Sequence, residues 1–242
     1  DAFSFSPYGQ MLYTRVGFDS YEETMQSGPG SGLGLAVDAR TVTALTGILD
    51  QVDAGVSAAF ERALDLLAKA GACIRWFDFP ELHELPRINA AGGLTAAEAW
   101  HGHRQWLQGD NAQCYDTRVA QRIRRGAAIS AADYLDIRSE RQRLISVAGE
   151  RLGDADAWLM PTVAVVPPKL ADLAEDAAFF ATNGLVLRNT SVINFLDGCA
   201  LSLPCQRGDE LPVGLSIAGL HGQDARVLQV SRAIEALLQE HT

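Results

Sequence analysis

The stretch that decides the fold reads LRNTSVINFLDGCALSLPC over residues 187–205, followed by ELPVGLSIAGL over residues 210–220. Its second part is a short, mainly apolar run, which predicts a buried strand over 213–219. The residues that follow, 224–238, repeat apolar positions at helical spacing and predict an amphipathic helix. Upstream, the run AWLMPTVAVVPP at 157–168 predicts a second buried strand that leads into a proline-stiffened loop.

The N-terminal part of the chain predicts a β–α–β unit. A short apolar strand is expected at 35–38, a helix with Asp53 as its cap over 52–70, and a second strand over 72–77. Such a unit favours a parallel strand pair. Three further helices are expected at 94–108, 119–125 and 130–152, the first with a capping box from Thr95 and Glu98 and the last capped by Ser130. Alternating strands and helices indicate an α/β fold.

Composition separates the chain into two parts. Residues 1–34 end in a glycine-rich run and are interpreted as a segment of unclear origin with a linker; a phosphate-binding loop is disfavoured because no Gly-Lys-Ser/Thr follows. Residues 35–242 carry the α/β pattern. The net charge of −10 argues against a nucleic-acid or anionic-membrane partner.

No apolar run is long enough to span a bilayer, and the start of the chain does not read as a signal peptide. We therefore expect a cytoplasmic protein. The four cysteines are scattered without a C-x-x-C pair, which predicts buried free thiols. The sequence predicts no cofactor and no metal.

Several segments together resemble the C-terminal half of amidase signature hydrolases. They are QVDAGVSAAFERAL at 51–64, INAAGGLTAAEA at 88–99, YDTRVAQRI at 115–123, MPTV at 160–163 and the 187–205 stretch. The resemblance covers about residues 35–240 and implies a mixed β-sheet flanked by helices. It also implies hydrolysis of a small amide by a Ser–Ser–Lys catalytic set.

The catalytic motifs of that family are not found in this sequence. A serine nucleophile needs an adjacent base, and a lysine serves as that base only where its surroundings keep it neutral. The chain has two lysines: Lys69 at the end of a helix and Lys169 after a Pro-Pro pair. Neither resembles the catalytic lysine of the family, and the sequence contains no G-x-D-x-G-G-S loop. We therefore expect this chain to be inactive alone, with the Ser–Ser–Lys half supplied either by a longer gene product or by a second chain.

Candidate substrate-binding residues follow from the same resemblance, because relatives acting on carboxylate-bearing amides contact the acid group with a Tyr and an Arg from this region. Tyr115, Arg118 and Arg122 would share one helix face, and arginine suits a carboxylate bidentately. A solvated basic helix face is the alternative. Asn189 and Thr190, with Asn194, are placed in a polar turn that lines the site or caps the next helix.

Two other patterns and one rival function remain. His101 and His103 lie two residues apart, a spacing that points ligands in different directions on a helix and disfavours a metal site. Asn189-Thr-Ser191 fits a glycosylation sequon but is not expected to be modified.

The rival to an enzyme is a non-catalytic amidase homologue acting as a binding or structural subunit. In either case we expect a homo-oligomer or a complex, because a half-fold leaves an unpaired strand edge.

Overall fold

Five strands form a mixed sheet in the order β2-β1-β3-β5-β4. A computed structural model describes the backbone of residues 41–45 and all of residues 52–239, which belong to one compact unit. The strands are β1 (Thr41–Leu45), β2 (Cys73–Phe77), β3 (Ala157–Pro161), β4 (Cys199–Pro204) and β5 (Gly214–Gly219). Strand β1 pairs in parallel with β2 and β3, whereas β5 is antiparallel to both β3 and β4.

Seven helices accompany this sheet in the described part of the chain. They are α1 (Ala54–Lys69), α2 (Leu85–Ile88), α3 (Gly93–Gln108), α4 (Thr117–Arg124), α5 (Ala131–Leu152), α6 (Asp176–Phe195) and α7 (Asp224–Gln239). The mixed α/β architecture expected from the sequence is confirmed. The predicted boundary between residues 1–34 and 35–242 stays a prediction.

The hydrophobic core lies in two layers, one on each face of the sheet. On one face α1 and α7 pack against Leu159 and Ile217. On the other face α5 and α6 pack against Trp158 and Met160. Adjacent residues of β3 therefore point into different layers, as the alternation of side chains along a strand requires.

Several local predictions are confirmed by the structure. The Asp53 carboxylate accepts from Gly55 N and caps α1, while Gly71, at φ 97°, follows the end of that helix. Ser130 and Asp133 form a capping box at the start of α5. The parallel pair is also present, although its first strand is β1; the strand predicted at 35–38 lies outside the described residues.

The predicted start of α3 is wrong. Thr95 lies inside the helix, whose N-cap is Gly92 at φ 118° and makes no side-chain capping bond. Gly93 also has a positive φ, 67°. Two consecutive residues in this region of backbone space favour glycine, so the chain turns into the helix before it reaches Thr95.

The predicted polar turn at residues 189–194 is wrong as well. These residues lie in the second half of α6, a helix of 20 residues that the sequence pattern did not reveal, and β4 follows it directly. Polar residues such as Asn189 are unfavourable in a helix interior unless their side chains find partners. The partner of Asn189 comes from β3, which is distant in sequence.

Candidate functional site

Helix α4 presents Arg118 and Arg122 on one face. The carboxylate of Asp116 accepts from Arg118 N at 2.9 Å and from Val119 N at 3.1 Å, which begins the helix at Thr117. The two arginines are four residues apart and so lie above one another. Tyr115 has extended backbone and precedes the helix, so the prediction that all three side chains share one helical row is wrong for Tyr115.

The guanidinium of Arg118 forms hydrogen bonds with the segment that leads into α6. Its Nε donates to Asp176 Oδ1 at 2.7 Å, and one terminal nitrogen donates to the carbonyl of Ala174 at 2.9 Å. The same guanidinium lies 4.3 Å from the centre of the Phe179 ring. Arg118 therefore ties α4 to the start of α6, and Asp176 neutralises its charge.

Arg122 reaches the same helix but meets a neutral group. Its guanidinium donates to Oδ1 of Asn183, a residue that is 6% exposed. Burial and the nearby charge of Arg125 lower the pKa of Arg122. No carboxylate of the described residues lies within ion-pair distance of this arginine.

The end of α4 is a local basic patch on an acidic chain. We call Arg122, Arg124 and Arg125 the α4 basic end. Arg124 donates to the carbonyl of Leu107, and Arg125 donates to the carbonyl of Ala90. In the described part of the chain none of the three forms an ion pair, so this surface favours an anion although the net charge is −10.

Tyr115 is held by a histidine. Its hydroxyl and His103 Nδ1 are 2.6 Å apart, and His103 also packs edge-on against Trp106. Burial is the main cause that raises the pKa of Tyr115, so the phenol stays protonated near neutral pH. Within residues 52–239, no group of three or more His, Cys, Asp or Glu side chains could hold a metal ion.

Asn189 connects α6 to β3, and Thr190 forms a hydrogen bond within α6. Asn189 is fully buried, and its Nδ2 donates to the carbonyl of Pro161 at the end of β3, 2.7 Å away. The hydroxyl of Thr190 donates to the carbonyl of Leu187 one turn earlier. Substrate contact by these two residues stays a prediction, while the burial of Asn189 agrees with the expectation that its sequon is not modified.

Sequence reasoning missed the partners of the two arginines. Asp176 and Asn183 lie seven residues apart on α6, about two helical turns, and face the arginines of α4. Two polar residues at that spacing in an otherwise apolar segment are the signal that was available. The sequence also did not predict the contact between His103 and Tyr115.

The lysines and cysteines provide no evident nucleophile or base. Lys69 is exposed in the last turn of α1, and Lys169 is exposed in the loop before Leu170. All four cysteines are free, but Cys73 and Cys114 are exposed and Cys199 and Cys205 are half-buried, so the prediction of four buried thiols is wrong. Burial raises the pKa of Cys205 to about 11, which keeps that thiol protonated and unreactive near neutral pH.

Comparison with known proteins supplies the family. The sequence profile of the family described as Amidase matches residues 40–228. The 2-amino-5-chloromuconic acid deaminase of Comamonas testosteroni is 33% identical over 190 residues, which are 78% of this chain and 41% of that protein. The indoleacetamide hydrolase of Agrobacterium vitis is 30% identical over 207 residues, 77% of this chain and 44% of that protein. The chain thus spans less than half the length of these curated relatives.

Solved structures show the same fold. A crystal structure described as an amidase superimposes with a TM-score of 0.69 at 24% identity and covers 82% of this chain and 45% of that one. An allophanate hydrolase of Kluyveromyces lactis gives a TM-score of 0.71 at 24% identity, covering 82% of this chain and 32% of that one. Since the family profile matches well over half of the sequence, the chain belongs to the amidase family.

Proposed function

We propose that this chain forms the substrate-binding part of an amidase that hydrolyses the C–N bond of a small, carboxylate-bearing amide. The Ser–Ser–Lys half comes from sequence outside this chain, and the chain alone is inactive. The observation that carries the proposal is Arg122: the residue as a whole is exposed, while its guanidinium lies in a part-buried hydrogen bond to a neutral partner, Asn183.

The two arginines of α4 are suited to different roles. Arg118 already has the carboxylate of Asp176 and the carbonyl of Ala174 as partners, so a substrate anion would have to displace both. Among the described residues Arg122 has no carboxylate partner to displace, and Asn183 holds it in place without neutralising it. An arginine in this state binds a carboxylate through short, charge-assisted hydrogen bonds.

The remaining candidates assist Arg122. Tyr115, fixed by His103, is the second proposed donor to the carboxylate. Asn189 and Thr190 keep α6 in place, and through that helix they keep the partner of Arg122 in place.

The curated relatives are named for substrates of different charge. The name of the Comamonas testosteroni protein, a deaminase of a muconic acid, supports an acidic substrate. The Agrobacterium vitis protein is named for indoleacetamide, an uncharged amide. A neutral amide is therefore the informative comparison substrate for Arg122.

The chemistry is divided between the two halves. On the missing half, the nucleophilic serine attacks the amide carbonyl, the second serine relays its proton and the lysine accepts that proton. The same proton passes back through the second serine to the leaving nitrogen, the C–N bond breaks and the amine leaves. Water then hydrolyses the acyl ester, which releases the acid and returns a proton to the nucleophilic serine. This chain fixes the anionic end of the substrate, which orients the amide carbon for attack.

Complementation tests the proposal directly. The chain is assayed alone and co-purified with the part of the Comamonas testosteroni deaminase that it does not match, using the half-amide of a short dicarboxylic acid as substrate. Ammonia release is expected from the pair and not from the chain alone. Hydrolysis by the chain alone would overturn the proposed division, and a stoichiometric pair that stays inactive would favour the non-catalytic role.

Two arginine variants test the substrate class in the active pair. Arg122→Gln should raise KM for the half-amide about 10- to 100-fold, since a hydrogen bond to a charged group contributes roughly 1.5–3 kcal/mol. Hydrolysis of a neutral amide of similar size should change little. Arg118→Gln is the matched control and should affect both substrates equally. An equal loss for both substrates in Arg122→Gln would exclude a carboxylate-binding role.

We also propose that the complete enzyme works in the cytoplasm. All four thiols are free, which fits a reducing compartment. None of the helices within residues 52–239 combines the length and hydrophobicity that a membrane span requires. Fractionation of cells that produce the native protein, followed by immunoblotting, tests this localisation.

A further inference from the structure

A histidine of α3 contacts the phenol that leads into α4. His103 Nδ1 lies 2.6 Å from the hydroxyl oxygen of Tyr115, and the two rings meet edge to face with their centroids 5.7 Å apart. Trp106, three residues later on α3, packs edge-on against the same imidazole. Both His103 and Tyr115 are half-buried. Two aromatic rings therefore hold the imidazole in place while it forms this hydrogen bond.

The proton between these two atoms can belong to either group. A phenol has one O–H and also accepts, whereas Nδ1 of a histidine donates only when it carries a proton. In one arrangement Tyr115 donates to His103, and in the other His103 donates to Tyr115. Burial raises the pKa of Tyr115, so the phenol keeps its own proton in both arrangements.

The two arrangements present different atoms to a ligand. When Tyr115 donates to His103, its oxygen offers only lone pairs to a third group, and lone pairs repel a carboxylate. When His103 donates to Tyr115, the phenolic O–H is free to donate elsewhere. Within residues 52–239 the Tyr115 hydroxyl has no hydrogen-bond partner other than His103, so this proton is available to a ligand.

A carboxylate selects the second arrangement, because an ionised carboxylate only accepts hydrogen bonds. The other imidazole nitrogen, Nε2 of His103, forms no hydrogen bond with the described residues, so neither protonation state of Nε2 is enforced by the fold. Water can exchange the proton from Nε2 to Nδ1, which leaves the ring neutral and conserves protons. Rotation of the Tyr115 O–H then completes the reversal without any movement of the two rings.

We propose that His103 is a positioning residue for carboxylate binding: its Nδ1–H donates to the Tyr115 oxygen and thereby directs the phenolic O–H to the acid group of the substrate. This inference rests on the proposed function and deepens it. A neutral amide carries N–H donors and is compatible with either arrangement, so it makes no such demand on His103. The direction of this one hydrogen bond thus contributes, together with Arg122, to the choice between acidic and neutral substrates.

NMR of the imidazole nitrogens tests the direction of the bond without turnover. The chain is labelled with 15N-histidine and observed in the co-purified pair described above, with and without succinate, the acid released from the four-carbon half-amide. The signals of His103, one of five histidines, are those lost in His103→Asn. With succinate bound, Nδ1 of His103 should be protonated. An unprotonated Nδ1 in the succinate-bound pair would overturn the proposal.

Two amide substitutions separate donation from mere polarity at this position. In His103→Asn the amide nitrogen stands as many bonds from Cβ as Nδ1 does and can donate to Tyr115, so KM for the half-amide should rise less than about 2-fold. In His103→Gln the amide nitrogen stands instead as far out as Nε2, so KM should rise about 3- to 10-fold, the effect of one lost neutral hydrogen bond. Hydrolysis of the neutral amide should change little in either variant.

The exposed His101, two residues earlier on α3, provides the matched control. His101→Gln should leave KM unchanged for both substrates. Thermal unfolding of each variant shows whether the chain is folded. Equal losses for the acidic and the neutral substrate in folded His103→Gln would overturn the proposal, and so would a loss in folded His103→Asn as large as that in His103→Gln.

A double-mutant cycle tests whether His103 acts through Tyr115. Tyr115→Phe removes the hydroxyl, so adding His103→Gln to that variant should change KM for the half-amide less than about 2-fold further. A full additional loss in the double variant would show that His103 acts by another route and would contradict the proposal.

These readouts separate the two proposals. A protonated Nδ1 in a succinate-bound pair that does not hydrolyse the half-amide would support the role of His103 and reject the amidase function. Hydrolysis that depends on Arg122, in a pair whose Nδ1 is unprotonated with succinate bound, would support the function and reject the role of His103. Failure of succinate to bind would reject carboxylate recognition by both residues.

Discussion

The central strand β3 and the edge strand β4 differ in burial, although both pair with the same residues of β5. All five residues of β3 are buried, whereas β4 buries Leu203 and leaves Ala200, Ser202 and Pro204 exposed. Leu159 of β3 and Leu201 of β4 both pair with Ile217, one from each side. We infer that the centre of the sheet contributes more to stability than the β4 edge does.

The largest effect is expected at Leu159, in comparison with Leu201, since both pair with Ile217. Leu159 is fully buried, so Leu159→Ala should lower the free energy of unfolding by about 2–5 kcal/mol through lost burial and a cavity. Leu201 is half-buried, and Leu201→Ala should lower it by about 1 kcal/mol. Urea unfolding of both variants measures the difference, and equal losses would show that the edge is as important to stability as the centre.

The next effect concerns the contact between α6 and the end of β3. Asn189→Ala leaves the buried carbonyl of Pro161 without its donor and should destabilise the chain by about 1–3 kcal/mol. Thr190→Ala removes a hydrogen bond within the helix and should cost less than about 0.5 kcal/mol. Thermal unfolding of the two neighbouring variants makes the comparison, and a similar shift in Tm for both would argue against the β3 contact.

A smaller effect is expected at high pH, just beyond the end of β4. The pKa of Cys205 is raised in the folded state from 9.0 to about 11. Below pH 9 the thiol is protonated in both states; between pH 9 and pH 11 it ionises in the unfolded chain first, so stability falls as pH rises. After allowance for partial solvent exposure, the loss should be about 1 kcal/mol.

Cys205→Ala should therefore lose stability less steeply than the native sequence between pH 9 and pH 11 in urea titrations. Cys73→Ala removes an exposed thiol and controls for the loss of a cysteine. If the native chain and Cys205→Ala lose stability equally over this pH range, ionisation of the Cys205 thiol is not the cause of the loss.

The smallest effect belongs to the opposite edge. Trp76 on β2 is 52% exposed, and Trp76→Thr keeps a residue that favours strands. The free energy of unfolding should change by less than about 0.5 kcal/mol in urea titrations. A loss comparable to that of Leu159→Ala would show that β2 is as important to stability as the centre of the sheet.

Local signals predicted the elements whose boundaries depend on neighbouring residues. Ser130 and Asp133 form a cap within a single turn, and the helix that they begin ends at Leu152 as expected. Helix α6 escaped prediction because Asn189 and Thr190 resemble turn residues in sequence. The buried place of Asn189 in the helix depends on a hydrogen bond to Pro161, which is 28 residues away, whereas Thr190 bonds within the helix to Leu187.

The sequence predicted the arginines of the candidate site but not their partners. Residue type and spacing identified Arg118 and Arg122, because arginine suits carboxylates and residues four apart share a helix face. Their different partners, Asp176 and Asn183, lie on α6 and are separated from them by about 60 residues of sequence. Spacing within α4 contains no information about those partners.

The sequence by itself determined the amidase resemblance, the α/β class and the order of most elements, because these depend on motifs and on periodicity along the chain. The tertiary structure decided which strand is central and which of the two arginines has no carboxylate partner within the part of the chain that the structure describes. Burial and charge pairing are sums over residues that are far apart in sequence. They become defined when α4, α6 and the sheet pack together.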